Sequence, residues 1–276
     1  MTEVTPLFDR ALYLRRLTRA RETGPDVLNT TITSELLDRT ALITRSFRDA
    51  LVIAPQPVPV AEALLASGFV KQADTRLPPP SDNLELGQDR YDAIFHILDL
   101  HAVNDVPGVL TQLRQALRPD GLLLACLFAG ESLTELRQSF LAAESQLNQG
   151  ATPRVAPMIS VRELGGLLQR AGFALPVADM DRTIVRYADA IGLVHEISAL
   201  GMSNMVLGRS RIPVSRRLLG AAAQHYHENF ADDDGRIRTT LELAWLTAWS
   251  PHESQPKPLK PGSARISLTE VLKPKS

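Results

Sequence analysis

The sequence predicts an α/β fold built on a mostly parallel sheet, and two observations carry the prediction. Short apolar runs of strand length alternate with amphipathic helical stretches along most of the chain, the pattern of parallel strands joined by crossover helices. One of the runs, LLLACLF (122–128), is apolar throughout, as a strand covered on both faces reads.

The elements follow in order. Segment 10–21, RALYLRRLTRAR, reads as a helix whose arginines, Arg10, Arg15, Arg16, Arg19 and Arg21, meet no acid. That gives a basic face for an acidic partner or a membrane surface, or simply a solvated face. Leu36, Leu37, Ala41 and Ile43 fit a helix after the candidate caps Thr33 and Ser34. DALVIA (49–54) is a strand, VAEALLASG (60–68) a helix closed by Gly68, and FVKQAD (69–74) a second strand. YDAIFHI (91–97) is a strand, followed by the helix DVPGVLTQLRQAL (105–117) with Pro119–Asp120–Gly121 as its stop. After LLLACLF come helices near 132–147 and 161–173, and a strand pair, ALPVAD and RTIVRY, around Asp181. The end changes character: helices near 189–200 and 214–230 precede TTLELAWLTAW (239–249), an alternating run suited to a late strand.

Composition narrows the function. The 276 residues are 44% hydrophobic and 22% charged, with a formal net charge of -1. A nucleic-acid wrapper normally carries a basic excess, so no nucleic-acid partner is expected. Cys126 is the single cysteine, which excludes an intrachain disulfide and a thiolate-rich metal site. No apolar run reaches the length of a membrane span and no signal-peptide core is visible. The expectation is a cytoplasmic protein without a bound metal. There is no GxGxxG, P-loop, GxSxG elbow or HExxH, which disfavours dehydrogenase, NTPase, serine hydrolase and zincin chemistry.

In sequence order, YDAIF, LHAVND (100–105), LRQALRPDGLLLACLF (113–128) and LLQRAGF (167–173) resemble the class I S-adenosylmethionine-dependent methyltransferases. That Rossmann-like fold implies an antiparallel C-terminal hairpin, here RTIVRY with TTLELAWLTAW. The chain is similar to the carrier-protein methyltransferase of biotin synthesis. It is more similar to the methyltransferase-like assembly factors of respiratory complex I, through LFDRAL (7–12), LLDRTALITRSF (36–47) and WSPHESQPKPLKPGSA (249–264). The resemblance implies a protein subunit as partner or substrate, with modification reported as arginine hydroxylation. It also implies S-adenosylmethionine as cofactor. The expected organisation is an N-terminal helical extension (1–48), a methyltransferase-like domain (49–249) and an extended basic tail (250–276).

The cofactor loop departs from the resemblance. Where that superfamily has A-L-D-L-G-x-G-x-G, this chain has Ala50-Leu51-Val52-Ile53-Ala54-Pro55-Gln56-Pro57-Val58. Val52 replaces the acid, and Ala54, Gln56 and Val58 replace the glycines. Glycine there permits positive φ and lets backbone N–H groups reach a ligand. Pro55, Pro57 and Pro59 have no N–H and are expected to hold the segment extended. A lost charged hydrogen bond costs roughly 1.5–3 kcal/mol. With steric exclusion the total reaches ~4 kcal/mol, about a thousandfold in affinity. The expectation is a degenerate loop and a pseudo-enzyme. An active methyltransferase on a protein, small-molecule or carrier substrate is the alternative.

The remaining candidates are few. Asp74 stands about 20 residues after Ala54, the spacing of a ribose-binding acid; a solvated strand-end carboxylate is the other reading. RLPPPSDNLELGQDR (76–90) is too short for a helix and a strand. Either DNLEL is a reduced third strand or FVKQAD is itself the third and a βα unit is gone; the first is the expectation. His96 and Asp99 follow the YDAIF strand, where α/β sheets place ligands and catalytic groups, with His101 just beyond. Cys126 reads as an inert core residue, and the proline-rich tail as a segment for docking on a partner.

Overall fold

The computed structural model describes residues 5–23, 27–147 and 150–256. Helices α1 (Arg10–Thr23) and α2 (Val27–Ala41) precede β1 (Phe47–Ile53), α3 (Pro57–Ala66), β2 (Val70–Arg76) and β3 (Tyr91–Ile97). A single 3-10 turn, Leu100–Ala102, leads to α4 (Val106–Ala116), β4 (Leu117–Phe128), α5 (Thr134–Gln146) and α6 (Val161–Arg170). The chain ends in β5 (Ala174–Tyr187), α7 (Ala190–Ala199), α8 (Arg216–Phe230) and β6 (Ile237–Trp249).

Among the described residues the strands form one six-stranded sheet in the order β2-β1-β3-β4-β6-β5. β2, β1, β3 and β4 are parallel, and β6 runs antiparallel between β4 and β5. This is the expected α/β fold with its antiparallel C-terminal hairpin. Side chains alternate across the sheet. Leu51, Ile53, Ile94 and Leu123 pack with α4 and α6, whereas Val52, Phe95, Leu124 and Cys126 pack with α2 and α3. Cys126 is buried, and burial pushes its thiol pKa well up. None of the described helices is long and apolar enough to cross a membrane.

Several expectations need correction. ALPVAD and RTIVRY form one strand, β5, whose pairing with β6 runs unbroken from Val177↔Thr247 to Tyr187↔Ile237. The acidic centre survives because Arg39 of α2 bonds Asp179 and Asp181, at 2.6 Å each. Helix α2 begins at Val27, so Thr33 and Ser34 are interior and cap nothing. Pro119–Gly121 belongs to β4 as an irregularity in its pairing with β3, with Asp120 at φ 62.

DNLEL forms no strand. FVKQAD pairs with β1 and takes the second-strand position, and among the described residues no strand pairs on its outer side. Leu84 and Leu86 turn into the core instead, and the Leu84 amide donates to Gln112 of α4 at 2.8 Å. The Leu84 amide is thereby spent on a helix side chain and not on a ladder.

The start of the tail is anchored. Ser250 exchanges backbone hydrogen bonds with Asp120 and Gly121, and Gln255 donates to Asp120 Oδ1 at 2.9 Å. The rest of the predicted docking tail, 257–276, lies outside the described residues.

Candidate functional site

In open α/β sheets, ligands bind beyond the carboxyl ends of the strands. Here β1 ends at Ile53, and Ala54–Gln56 turn into α3. The expectation of an extended 55–59 segment holds only that far. Pro57, Val58 and Pro59 form the first turn of α3, with Gln56 as its N-cap. Helix N-termini attract anions through free N–H groups, and prolines remove two of the first three in α3. Ala54 and Pro57 are buried, Gln56 is half-buried and Val58 is exposed.

The carboxyl end of β3 is equally full. His96 and Asp99 are wholly buried, with His96 Nε2 3.4 Å from Asp99 Oδ2. Asp99 accepts a fork of bonds from Arg10 of α1, at 2.6 and 3.0 Å. Burial disfavours the guanidinium, but Asp99 outweighs it and raises its pKa. Tyr13, one turn on, donates to the Leu98 carbonyl at 2.9 Å and meets the His101 ring edge-on. Neither ring nitrogen of His96 or His101 has a hydrogen-bond partner. Burial pushes both imidazoles down to about 4, against the opposing pull of Asp99, so both are neutral near pH 7.

Helix α1 is fastened over this end at further points. Asn104 Oδ1 accepts from the amides of Leu7 and Phe8, at 2.7 Å each. Arg16 donates to the carbonyls of Ser203 and Asn204 at 2.8 and 2.6 Å. The predicted basic face is thereby thinned. Arg10 is buried and Arg16 half-buried, leaving Arg15 and Arg19 exposed. What remains at the carboxyl ends is a cleft of about 30 Å³, bordered by Tyr13, Pro55, Gln56, Leu98 and His101. That is space for a few waters, far below the several hundred Å³ of a ligand pocket. His101 borders it; His96 does not.

Asp74 stands opposite Leu51, and β2 runs on to Arg76 opposite Ile53. The strand end therefore carries Arg76, which donates to the Leu84 carbonyl at 3.0 Å, while Asp74 turns to Tyr91 and Arg90 at the start of β3. The expectation of an acid at the end of this strand is corrected: Asp74 faces away from the cleft's border.

A second, larger cavity of about 280 Å³ lies among α2, α7 and the β5–β6 hairpin. It shares Leu28, Leu200 and Met202 with the small cleft. Its walls are mostly apolar, with Glu35, Glu196 and Tyr187 as the ionisable groups.

A family model described as a methyltransferase domain matches residues 36–176. The arginine-hydroxylase NDUFAF5 of Homo sapiens is 31% identical over an alignment covering 97% of this chain and 84% of that protein. The chain belongs to the NDUFAF5 branch of the methyltransferase-domain family. The malonyl-[acyl-carrier protein] O-methyltransferase of Xylella fastidiosa is 35% identical, over 58% of this chain and 52% of its own. Among solved structures, a Bacillus halodurans protein assigned as a methyltransferase superposes with a TM-score of 0.51. It covers 80% of this chain and 99% of its own at 12% identity, a likeness of fold alone.

For this NDUFAF5-branch chain, the sequence put His96 and Asp99 in one cluster, and the structure brings them together. It omitted Arg10 and Tyr13, which complete that cluster, and Glu35 and Glu196 of the larger cavity. LFDRAL, which carries Arg10, was read for its resemblance only. No spacing rule pairs residues 10 and 99.

Proposed function

We propose that this chain acts by engaging a protein partner, and that S-adenosylmethionine binds it weakly or not at all. The observation that carries the reading is the filled carboxyl end of β1 and β3. The turn after β1 has no glycine, two prolines strip donors from α3, and a cleft of about 30 Å³ remains beside Tyr13 and His101. The methyltransferase fold then serves as a scaffold that presents a surface. Partner binding fits the branch, and the exposed Arg15 and Arg19 suit an acidic protein or a membrane surface.

Titration calorimetry with S-adenosylmethionine tests it. The expected Kd is weaker than ~100 μM. Low-micromolar binding overturns the reading, because other residues would then hold the cofactor.

A second reading, an enzyme modifying a protein side chain, is favoured by the match to arginine-hydroxylases along 97% of the chain. Mass spectrometry of an arginine-containing substrate after incubation separates the two. Gain of an oxygen or a methyl group supports the enzyme; an unchanged mass supports the binding protein.

A further inference from the structure

From Ile197 near the end of α7 to His227 in α8 the sequence holds no Asp or Glu, yet it carries Arg209, Arg211, Arg216 and Arg217. Where the loop between these helices meets α1 and α5, a further cavity of about 430 Å³ opens. That volume lies within the range of small-molecule pockets.

Its charged lining is wholly cationic. Arg16 of α1, Arg154, Arg209 and Arg211 border it, and no Asp or Glu does. Two of the four have acid partners outside the lining: Arg154 bonds Glu144 at 2.7 Å and Arg209 bonds Asp9 at 3.1 Å. Arg16 is held by the carbonyls of Ser203 and Asn204 rather than by a carboxylate. Arg211 is exposed and has no partner among the described residues. Burial and the Arg209 charge both lower the Arg16 pKa, with Asp9 opposing, so like charges crowd one wall.

An anion among these guanidiniums relieves that crowding and accepts charge-assisted bonds. Four arginines less two acid partners leave two positive charges. A phosphate monoester, at about −1.5 to −2 near neutral pH, balances them. The remaining walls are mostly apolar, with Leu136 and Phe140 from α5 and Val194 from α7. Ile212 and Val214, also on the border, stand 77% and 42% exposed. A ligand with an apolar body would take that surface out of water.

We propose that this cavity binds a small organic phosphate monoester, its phosphate among Arg16, Arg154, Arg209 and Arg211 and its apolar body against Phe140, Ile212 and Val214. The four guanidiniums exclude a cation. A two-chain lipid is too large to enclose there, whereas a soluble monoester with a short chain fits. The site goes beyond the partner-engaging reading. It shares no residue with the Arg10–Asp99 cluster or with the cleft beside Tyr13.

The test titrates the intact chain with hexyl phosphate, hexanol and inorganic phosphate, followed by NMR. Hexyl phosphate should bind saturably, and the other two at least tenfold more weakly, since each lacks half of the recognition. Arg211→Gln should weaken hexyl phosphate about fivefold or more, and it breaks no contact that the fold needs. Arg162→Gln, exposed on α6, removes the same charge elsewhere and should leave binding unchanged. Hexanol or inorganic phosphate binding as well as hexyl phosphate would overturn the proposal. So would an unaffected Arg211→Gln, an equal loss in Arg162→Gln, or no saturation by ~10 mM. Vesicles containing phosphatidic acid present the same head group on a membrane. Capture by those vesicles without binding of hexyl phosphate would overturn the soluble ligand. The three-ligand comparison needs no variant, so a misfolded mutant leaves the test intact.

Discussion

The carboxyl end of β1 and β3 and the pocket beneath the β5–β6 hairpin adjoin each other, yet they are built on opposite terms. At the strand ends the charges satisfy one another: Arg10 is paired with Asp99, and about 30 Å³ is left. In the pocket about 280 Å³ is open, and Glu35 and Glu196 line it with no Lys, Arg or His among the lining residues. Where this fold ordinarily takes a ligand, helix α1 has been fastened down. Beside it, an open site is lined mostly by apolar side chains together with two glutamates. The difference teaches that this fold can fill its usual ligand end and still keep an open cavity beside it.

Breaking the closed region should give the largest effect. Arg10→Ala leaves Asp99 charged and buried, at an expected cost of about 3–5 kcal/mol in denaturant unfolding. Arg10→Ala with Asp99→Ala should cost less than the single change. A loss below ~1 kcal/mol for Arg10→Ala would show that α1 is not latched there.

Acid probes the same region. His96 and His101 have pKa values lowered from 6.5 to about 4 by folding. Between those values the unfolded chain binds more protons than the folded one, so stability rises with pH across the window. Lowering the pH from 6.5 towards 4 should therefore remove stability, on the order of 3 kcal/mol per histidine. Denaturant midpoints across this range should fall with acid, and more shallowly in His96→Leu. A flat profile would mean that the imidazoles are not buried neutral.

Smaller effects sharpen the comparison. Tyr13→Phe removes the bond to the Leu98 carbonyl and should cost about 1 kcal/mol. Arg16→Glu should destabilise more than Arg15→Glu, because Arg16 holds the carbonyls of Ser203 and Asn204 whereas Arg15 is exposed. The Arg15 change should stay within about 0.5 kcal/mol. Equal losses for the two would place Arg15 in the same latch.

How far these regions could be read from the sequence follows from how local their physics is. YDAIFHI is β3 residue for residue, and LLLACLF lies within β4, because an apolar run of strand length reports burial directly. Gly68 closes α3 at φ 74, where a side chain would be strained. The glycine-poor turn after β1 was equally legible. Distance hid the rest. Arg10 and Asp99 are 89 positions apart, and an arginine in a run of arginines gives no sign that it is buried. Asp74 stood at the end of its apolar run, but pairing with β1 carries the strand on to Arg76. β5 looked broken because Asp179, Asp181 and Arg182 resemble a turn, whereas pairing with β6 runs through them and Arg39 bonds both aspartates.

The contrast between the two regions can be measured in one sample with methyl-labelled methionine. The chain has five methionines; Met202 borders both cavities, and Met158 borders the larger one alone. S-adenosylmethionine at ~100 μM should leave both the Met158 and the Met202 methyl signals in place. A saturable S-adenosylmethionine shift at Met202 would contradict the closed strand ends.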